Sequence, residues 1–375
     1  MVTWITNDII SFLTALVLVG FLIPQILVIS FRKNLFDKVD ARKVHKGVVP
    51  RLGGVAFFPA ILFSMALVAG INLRAPFEND LDQFVVSAVP ICYMICAVLL
   101  MFLIGITDDL VGARYKVKLA IQILSSLLII ASGMTIDNFQ CFLWLHELPL
   151  VGVWIVTSFV VVYVVNAVNL IDGIDGLASG LCGLAFIFYA VIFYLGGNYL
   201  YSILCSASLG ALVPFFYYNV FGSIKKQKKI FMGDTGALTT GMILAFCFIA
   251  MLHVDTSSAP VECNSLVIAI SPLVIPCFDV VRVSLHRVRQ HRNPFLPDKS
   301  HIHHKLLALG LTQHSALCLI VAFAIVFILL NMLLSPYMNP TVILCLDVVV
   351  WTSVNIALTR AIKAREKRLG ESLYR

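Results

Sequence analysis

The chain has 375 residues, of which 60% belong to the apolar set AVILMFWYC and only 13% are charged. Soluble globular domains run near half apolar and a quarter charged, so this balance excludes an ordinary soluble protein and points to many lipid-facing helices. The net charge of +7 does not imply a nucleic-acid partner, because the basic residues are distributed as a membrane topology signal.

Eleven apolar runs follow one another, at approximately 8–30, 52–72, 86–106, 117–133, 150–166, 177–195, 199–218, 236–254, 264–284, 316–335 and 341–360. About 20 residues span a bilayer core. The expected fold is therefore all-α: a polytopic membrane helix bundle of about eleven transmembrane helices. It forms one integral membrane domain over 1–375, with a transmembrane core at about 8–360 and a basic tail at 361–375. The first run has no basic residues before it and a basic cluster after it, which reads as a retained span and not a cleaved leader. Pro272 and Pro276 should break the ninth run, since proline removes a helix hydrogen bond and clashes one turn back.

The connecting segments decide orientation. Segments 31–51, 107–118, 219–235 and 282–305 and the tail from Arg360 carry seven, three, four, six and six Lys/Arg, together 26 of the 27. These are alternate connections, so the N-terminus is expected outside and the C-terminus in the cytoplasm. Eight of the ten cysteines lie in apolar runs, where free thiols behave as small hydrophobes. Cys141 and Cys263 lie in polar loops and leave a bridge open, and no CxxC spacing is present.

Against this background, acids at the basic face stand out. Asp108 and Asp109 close the third run in GITDDLVG, Asp172 and Asp175 precede the sixth in NAVNLIDGIDGLASG, and Asp234 precedes the eighth in FMGDTGAL. Each of the latter two groups reads equally as a helix N-cap. Asp108 and Asp109 follow a helix C-terminus, where the dipole disfavours negative charge, so they need a cation; Lys116 and Lys118 are near in sequence. His301, His303 and His304 sit among Arg282, Arg287, Arg289, Arg292 and Lys299, a cationic setting that suits phosphate better than a metal. In ARKVHKGVVPRLGG, Lys46 and Arg51 supply further cations. Hard oxygen ligands beside many cations suit Mg²⁺ or Mn²⁺ held jointly with substrate phosphates. No Walker loop or GxGxxG occurs. A transporter or channel is the alternative, but it calls for ionisable residues near the bilayer midplane, and a lipid-phosphate phosphatase would also fit the chemistry.

In order, VHKGVVPRLGG, GITDDLVGARYKVK, NAVNLIDGIDGLASG, KIFMGDTGAL and HIHHKLLALG resemble the motifs of the polyprenyl-phosphate N-acetylhexosamine-1-phosphate transferases. The VPRLGG and HIHH forms resemble the branch that uses UDP-N-acetylglucosamine. The resemblance implies that a polyprenyl phosphate attacks the β-phosphorus of a UDP-N-acetylhexosamine and releases UMP, at the bacterial cytoplasmic (inner) membrane with the active site facing the cytoplasm. It implies Mg²⁺, with Mn²⁺ as substitute, on Asp234 with Asp175 near it, and catalytic roles for Asp108, Asp109 and Asp234. It further implies that Asn166, Asn169 and Asp172 line the nucleotide pocket and that Phe231 stacks on uracil. Lys46, Arg51, Lys116, His301, His303 and His304 would contact phosphate or sugar. Asn219 matches an upstream Asn, although the Lys-rich segment after it is longer than the family pattern. Asp279 and Arg282 read as a structural i,i+3 ion pair, and Asp347 as structural. The implied partners are the two substrates and the lipid bilayer, with no nucleic acid; a homodimer is compatible.

Overall fold

A computed structural model describes residues 2–36, 48–74, 81–139, 142, 148–254, 264–291 and 300–370. Lys46, Cys141, Cys263, Arg292 and Lys299 lie outside the described residues. Helices α1 (Val2–Lys33), α2 (Phe57–Arg74), α3 (Leu81–Val111), α4 (Tyr115–Ala131), α5 (Leu150–Ile171), α6 (Leu177–Leu195) and α7 (Tyr199–Val220) make up the first half. The second contains α8 (Gly233–Leu252), α9 (Ser265–Ile270), α10 (Val274–Arg289), α11 (Ile302–Ala308), α12 (Gln313–Leu334) and α13 (Pro340–Leu369). Every apolar run coincides with a helix. Among the described residues ten helices, counting α9–α10 as one, are long and apolar enough to cross a membrane. The remaining run forms α4, whose 17 residues reach about 26 Å at 1.5 Å per residue.

The ninth run is broken where its prolines stand. Pro272 lies in a 3₁₀ turn, Ser271–Leu273, between α9 and α10. Pro276 falls in the first turn of α10, where the missing N–H has no intrahelical partner to lose. Two polar stretches are more helical than expected. The segment 282–305 is not a plain loop, because α10 continues to Arg289 and the histidines open α11. The basic tail is mostly helix: α13 runs to Leu369, rich in Ala, Lys, Arg and Glu, and ends on Gly370 in a left-handed conformation (φ 70°). Asp347 is buried and accepts a hydrogen bond from the Asn331 amide at 2.9 Å, linking α13 to α12.

α8 is the axis of the bundle. In its apolar window 94% of the residues are buried, against 22% for α1. α3 and α5 pack along it, with α9 and the 3₁₀ turn Gly53–Ala56 at its sides. This central position puts the N-terminus of α8, with Asp234, beside the ends of α3 and α5. The chain entering α2 is tied to the chain entering α8: Phe231 N–H donates to Pro50 O at 2.8 Å, and the N–H groups of Gly53 and Gly54 donate to Phe231 O and Met232 O at 3.0 and 2.9 Å.

Candidate active site

Asp108 and Asp109 do separate jobs. Asp109 turns toward α8, where its carboxylate accepts from the N–H groups of Asp234 (2.8 Å) and Thr235 (2.9 Å) and from the Thr235 hydroxyl (2.6 Å). A helix N-terminus offers unpaired donors and a positive dipole end, so a neighbouring helix supplies the positive partner that Asp109 needs. Gly105, one turn earlier on α3, makes this approach possible: a Cβ there would come within 2.4 Å of Thr235 Cα. Asp108 faces α4, accepting from Ala113 N–H at 2.6 Å and from the Lys118 ammonium at 2.8 Å. The same ammonium donates to Asp234, so one cation is held between two carboxylates. Lys116 is exposed at the start of α4; Lys118, two positions on, is the lysine that engages.

The loop between α5 and α6 supplies the second group. Asp175 pairs with Lys229 at 2.6 Å, and Lys229 is only 8% exposed. In the sequence Lys229 is one of four basic residues read as topology signal; burial and the partner separate it from the others. Asn219 is also buried. Its carbonyl accepts from Gly176 N–H at 2.6 Å and its amide donates to Ile230 O at 2.8 Å, so it ties the Asp175 loop to the strand of chain before Phe231. The Asp172 residue is solvent-exposed, but its carboxyl lies low among surrounding protein atoms and like charges. Its carboxyl is pushed up to about 7, first because surrounding protein displaces water and then because Asp175 and Asp234 are like charges; Arg51 opposes the shift. The electrostatic neighbours of Asp172 thus include Asp109, Asp175, Asp234 and Arg51, which brings four separate motifs into one cleft. Asn169 is half-buried nearby on the last turn of α5, and Phe231 is half-buried at the approach to α8. Asn166 is turned elsewhere: it exchanges amide hydrogen bonds with Gln122 of α4 at 2.8 and 3.3 Å.

The histidines close the cleft. Asp279 is fully buried and forms the hub that sets them. It accepts from Arg282 (2.7 Å), from His301 Nδ1–H (2.8 Å) and from Ile302 N–H (3.2 Å). The i,i+3 ion pair read from the sequence is therefore present, and it also orients His301 and the start of α11. His303 is 1% exposed, and neither ring nitrogen has a hydrogen-bond partner. Its ring lies against His301 and His304, with centroids at 5.8 and 4.2 Å. Burial, then the adjacent His304 and His301, pull its pKa down to about 3, so the ring is neutral. It rests on Gly173: a Cβ there would lie 2.1 Å from His303 Nε2. Any larger residue at position 173 would meet the His303 ring.

The donor set suits a divalent cation only in company with substrate phosphates. Among the described residues no group of three or more His, Cys, Asp or Glu could hold a metal ion by itself. Mg²⁺ does not need such a cage, since it keeps waters and binds through one or two carboxylates plus substrate phosphates. Asp108 and Asp234 already share a cationic group, the Lys118 ammonium, so their separation and charge fit that mode. Asp175 is committed to Lys229.

The chain is similar to known proteins over most of its length. Residues 91–252, which hold Asp108, Asp109, Asp172, Asp175 and Asp234, match the model for glycosyl transferase family 4. The chain is 29% identical over 327 residues to a probable undecaprenyl-phosphate N-acetylglucosaminyl 1-phosphate transferase of Bacillus subtilis, covering 85% of this chain and 82% of that protein. It is 27% identical to the undecaprenyl-phosphate alpha-N-acetylglucosaminyl 1-phosphate transferases of Salmonella typhi and Escherichia coli K12, over 78% of this chain and 74% of each relative.

Proposed function

We propose that this chain, similar along most of its length to undecaprenyl-phosphate N-acetylglucosaminyl 1-phosphate transferases, transfers N-acetylglucosamine 1-phosphate from UDP-N-acetylglucosamine to undecaprenyl phosphate. One P–O bond forms between the lipid phosphate and the β-phosphorus, one breaks to the α-phosphate, and UMP leaves. The observation that carries this reading is the convergence of acids from α3, the α5–α6 loop and α8 with Lys118, Lys229 and Arg51 at one end of the bundle. The transporter reading finds no support, because these acids cap and flank helix ends.

Both substrates are anions, so the site must offset repulsion before any bond can form. Asp234 and Asp108 would hold Mg²⁺, or Mn²⁺ in its place, and the cation would neutralise the diphosphate. Lys118 is then freed to contact phosphate. Arg51 lies across from Asp172 and offers a second cation. His303, neutral and buried against Gly173, sets the α11 histidine segment against the Asp172–Asp175 loop. Asn169, Asp172 and Phe231 border the open part of the cleft and are assigned to the nucleotide. Asp109 is assigned to holding α8 in register, its carboxylate turned to the Asp234 and Thr235 donors. The basic ends of the helices support a reading in which this cleft faces the cytoplasm at a bacterial inner membrane, where a cytosolic UDP-sugar would meet a membrane-held lipid phosphate.

The test is UMP release by purified protein supplied with undecaprenyl phosphate and a panel of UDP-sugars. UDP-N-acetylglucosamine should be turned over, chelation should stop the reaction, Mg²⁺ or Mn²⁺ should restore it, and Asp234→Ala should abolish it in a folded protein. Absence of UMP with every UDP-sugar would overturn the reading; full activity of Asp234→Ala would overturn the metal assignment.

A further inference from the structure

A cavity of about 770 Å³ opens between α10 and α13. Its inner walls are apolar: Phe278, Val281 and Leu285 on α10, and Val348, Trp351 and Ile356 on α13. Toward the C-terminal ends of both helices the lining turns basic, with Arg289, Arg360 and Lys363, while Arg282 and Lys305 stand at its side. From Val348 to Lys363 the helix rises about 22 Å, comparable to a lipid tail plus its headgroup. No acidic residue is among those lining the cavity.

The charge is not balanced internally. Lys305 is 5% exposed, and its ammonium donates to the Asn355 side-chain Oδ1 and the Thr359 hydroxyl, both at 3.1 Å, and to the Asn355 backbone carbonyl at 3.4 Å, all neutral. Burial, then Arg282, lowers its pKa to about 8. Arg282 shares the Asp279 carboxylate with the His301 ring and the Ile302 N–H, so that carboxylate is not free to serve the other cations of the cavity. A buried charge needs a counter-charge. A small soluble anion would satisfy the cations and leave the apolar walls wet; a neutral lipid would cover the walls and leave the cations unpaired. An amphiphile with an anionic head meets both demands, and basic pockets between transmembrane helices at the cytoplasmic side have that chemistry. None of Asp108, Asp109, Asp172, Asp175, Asp234 or His303 lines the cavity, which separates it from the reacting groups.

We propose that the cleft between α10 and α13 is a binding site for an anionic phospholipid, its headgroup on Arg282, Arg289, Lys305, Arg360 and Lys363. Lys305 and His303 lie on the same short helix, so the bound headgroup also braces the histidine segment.

Trp351 in the cleft wall reports occupancy. A protein retaining Trp351 alone, with the other three tryptophans changed to Phe, is reconstituted with brominated phosphatidylglycerol or brominated phosphatidylcholine. Quenching by the anionic lipid is expected at a much lower mole fraction. Arg360→Ala with Lys363→Ala should weaken that preference roughly thirtyfold, the loss expected for two cations near an anionic headgroup, without lowering the melting temperature. Both side chains are exposed and outside the catalytic cleft. Equal quenching by the two lipids, or an unchanged preference in the double variant, refutes the proposal. Relief of quenching by millimolar inorganic phosphate reassigns the site to a soluble anion, and relief by undecaprenyl phosphate at equal or lower concentration than phosphatidylglycerol reassigns it to the substrate; either result overturns it. The readout is binding, so it stands or falls apart from transferase activity.

Discussion

Asp109→Asn separates a structural acid from a chemical one. The carboxylate accepts three hydrogen bonds from the start of α8. The best-placed amide keeps its oxygen toward Thr235 and turns its NH₂ toward Asp234 N–H, donor against donor. One charge-assisted bond is lost, a partly buried N–H is left unpaired, and the favourable charge at the helix N-terminus disappears; together these cost about 3–5 kcal/mol. Asp108→Asn is the control, because it keeps an acceptor for Ala113 N–H and weakens only a partly exposed ion pair, at about 1 kcal/mol or less. Thermal unfolding in detergent, followed with UMP release, distinguishes them. Asp109→Asn should melt several degrees lower and lose activity; Asp108→Asn should lose activity near the wild-type melting temperature. Thr235→Val should couple to Asp109→Asn in a double-mutant cycle, since the two side chains share a bond. An inactive Asp109→Asn protein that melts like wild type would refute the capping role and return Asp109 to the chemistry.

Three further outcomes are expected. Lys229→Met removes the ammonium partner of the largely buried Asp175 carboxylate and should destabilise by about 3–5 kcal/mol, whereas Lys229→Met with Asp175→Leu should recover much of the melting temperature without restoring activity; a Lys229→Met protein as stable as wild type would show the pair to be idle. Gly173→Ala drives a methyl into His303 and should reduce UMP release at least tenfold, with His303→Ala partly relieving the clash in melting experiments. His303 has a folded pKa near 3, below the ordinary value of about 6.5. Its neutral burial is therefore fully tolerated above about pH 6.5, and stability is lost as pH falls from there toward 3, where the unfolded chain binds the proton first. In metal-free buffer His303→Phe should show a shallower fall in melting temperature between pH 7 and 4; an identical fall would remove His303 as a contributor.

The helices were readable because lipid and protein interiors both demand apolar runs, and proline position alone located the break before α10. The acids were readable as a group because Asp108, Asp172 and Asp234 recur at one face against the charge bias. Their division of labour was not. Asp109 and Asp108 are adjacent, so they point in different directions around α3, one to α8 and one to α4; only packing reveals which donors each meets. Lys229 is indistinguishable in sequence from Lys225, Lys226 and Lys228, since burial at a loop is decided by Asp175 across 54 positions. Asn166 and Asn169 share a motif, yet one is consumed by Gln122. The FDVVR segment carried the signal for the histidine hub, in an acid one turn before Arg282, and its partner His301 is 22 residues away.

The enclosure of α8 has a mechanical consequence. Outer helices such as α1 answer to the bilayer: when its thickness changes, they tilt or shift to keep their apolar surface covered. α8 meets almost no lipid, and its N-terminus is pinned to α3 through Asp109 and to the α2 approach through Pro50, Gly53 and Gly54. The height of Asp234 relative to Asp108 is thus referenced to protein and not to the membrane. Thinner or thicker bilayers should strain the periphery while leaving this spacing intact, so the enzyme can work across membranes of different composition without its two acids falling out of step.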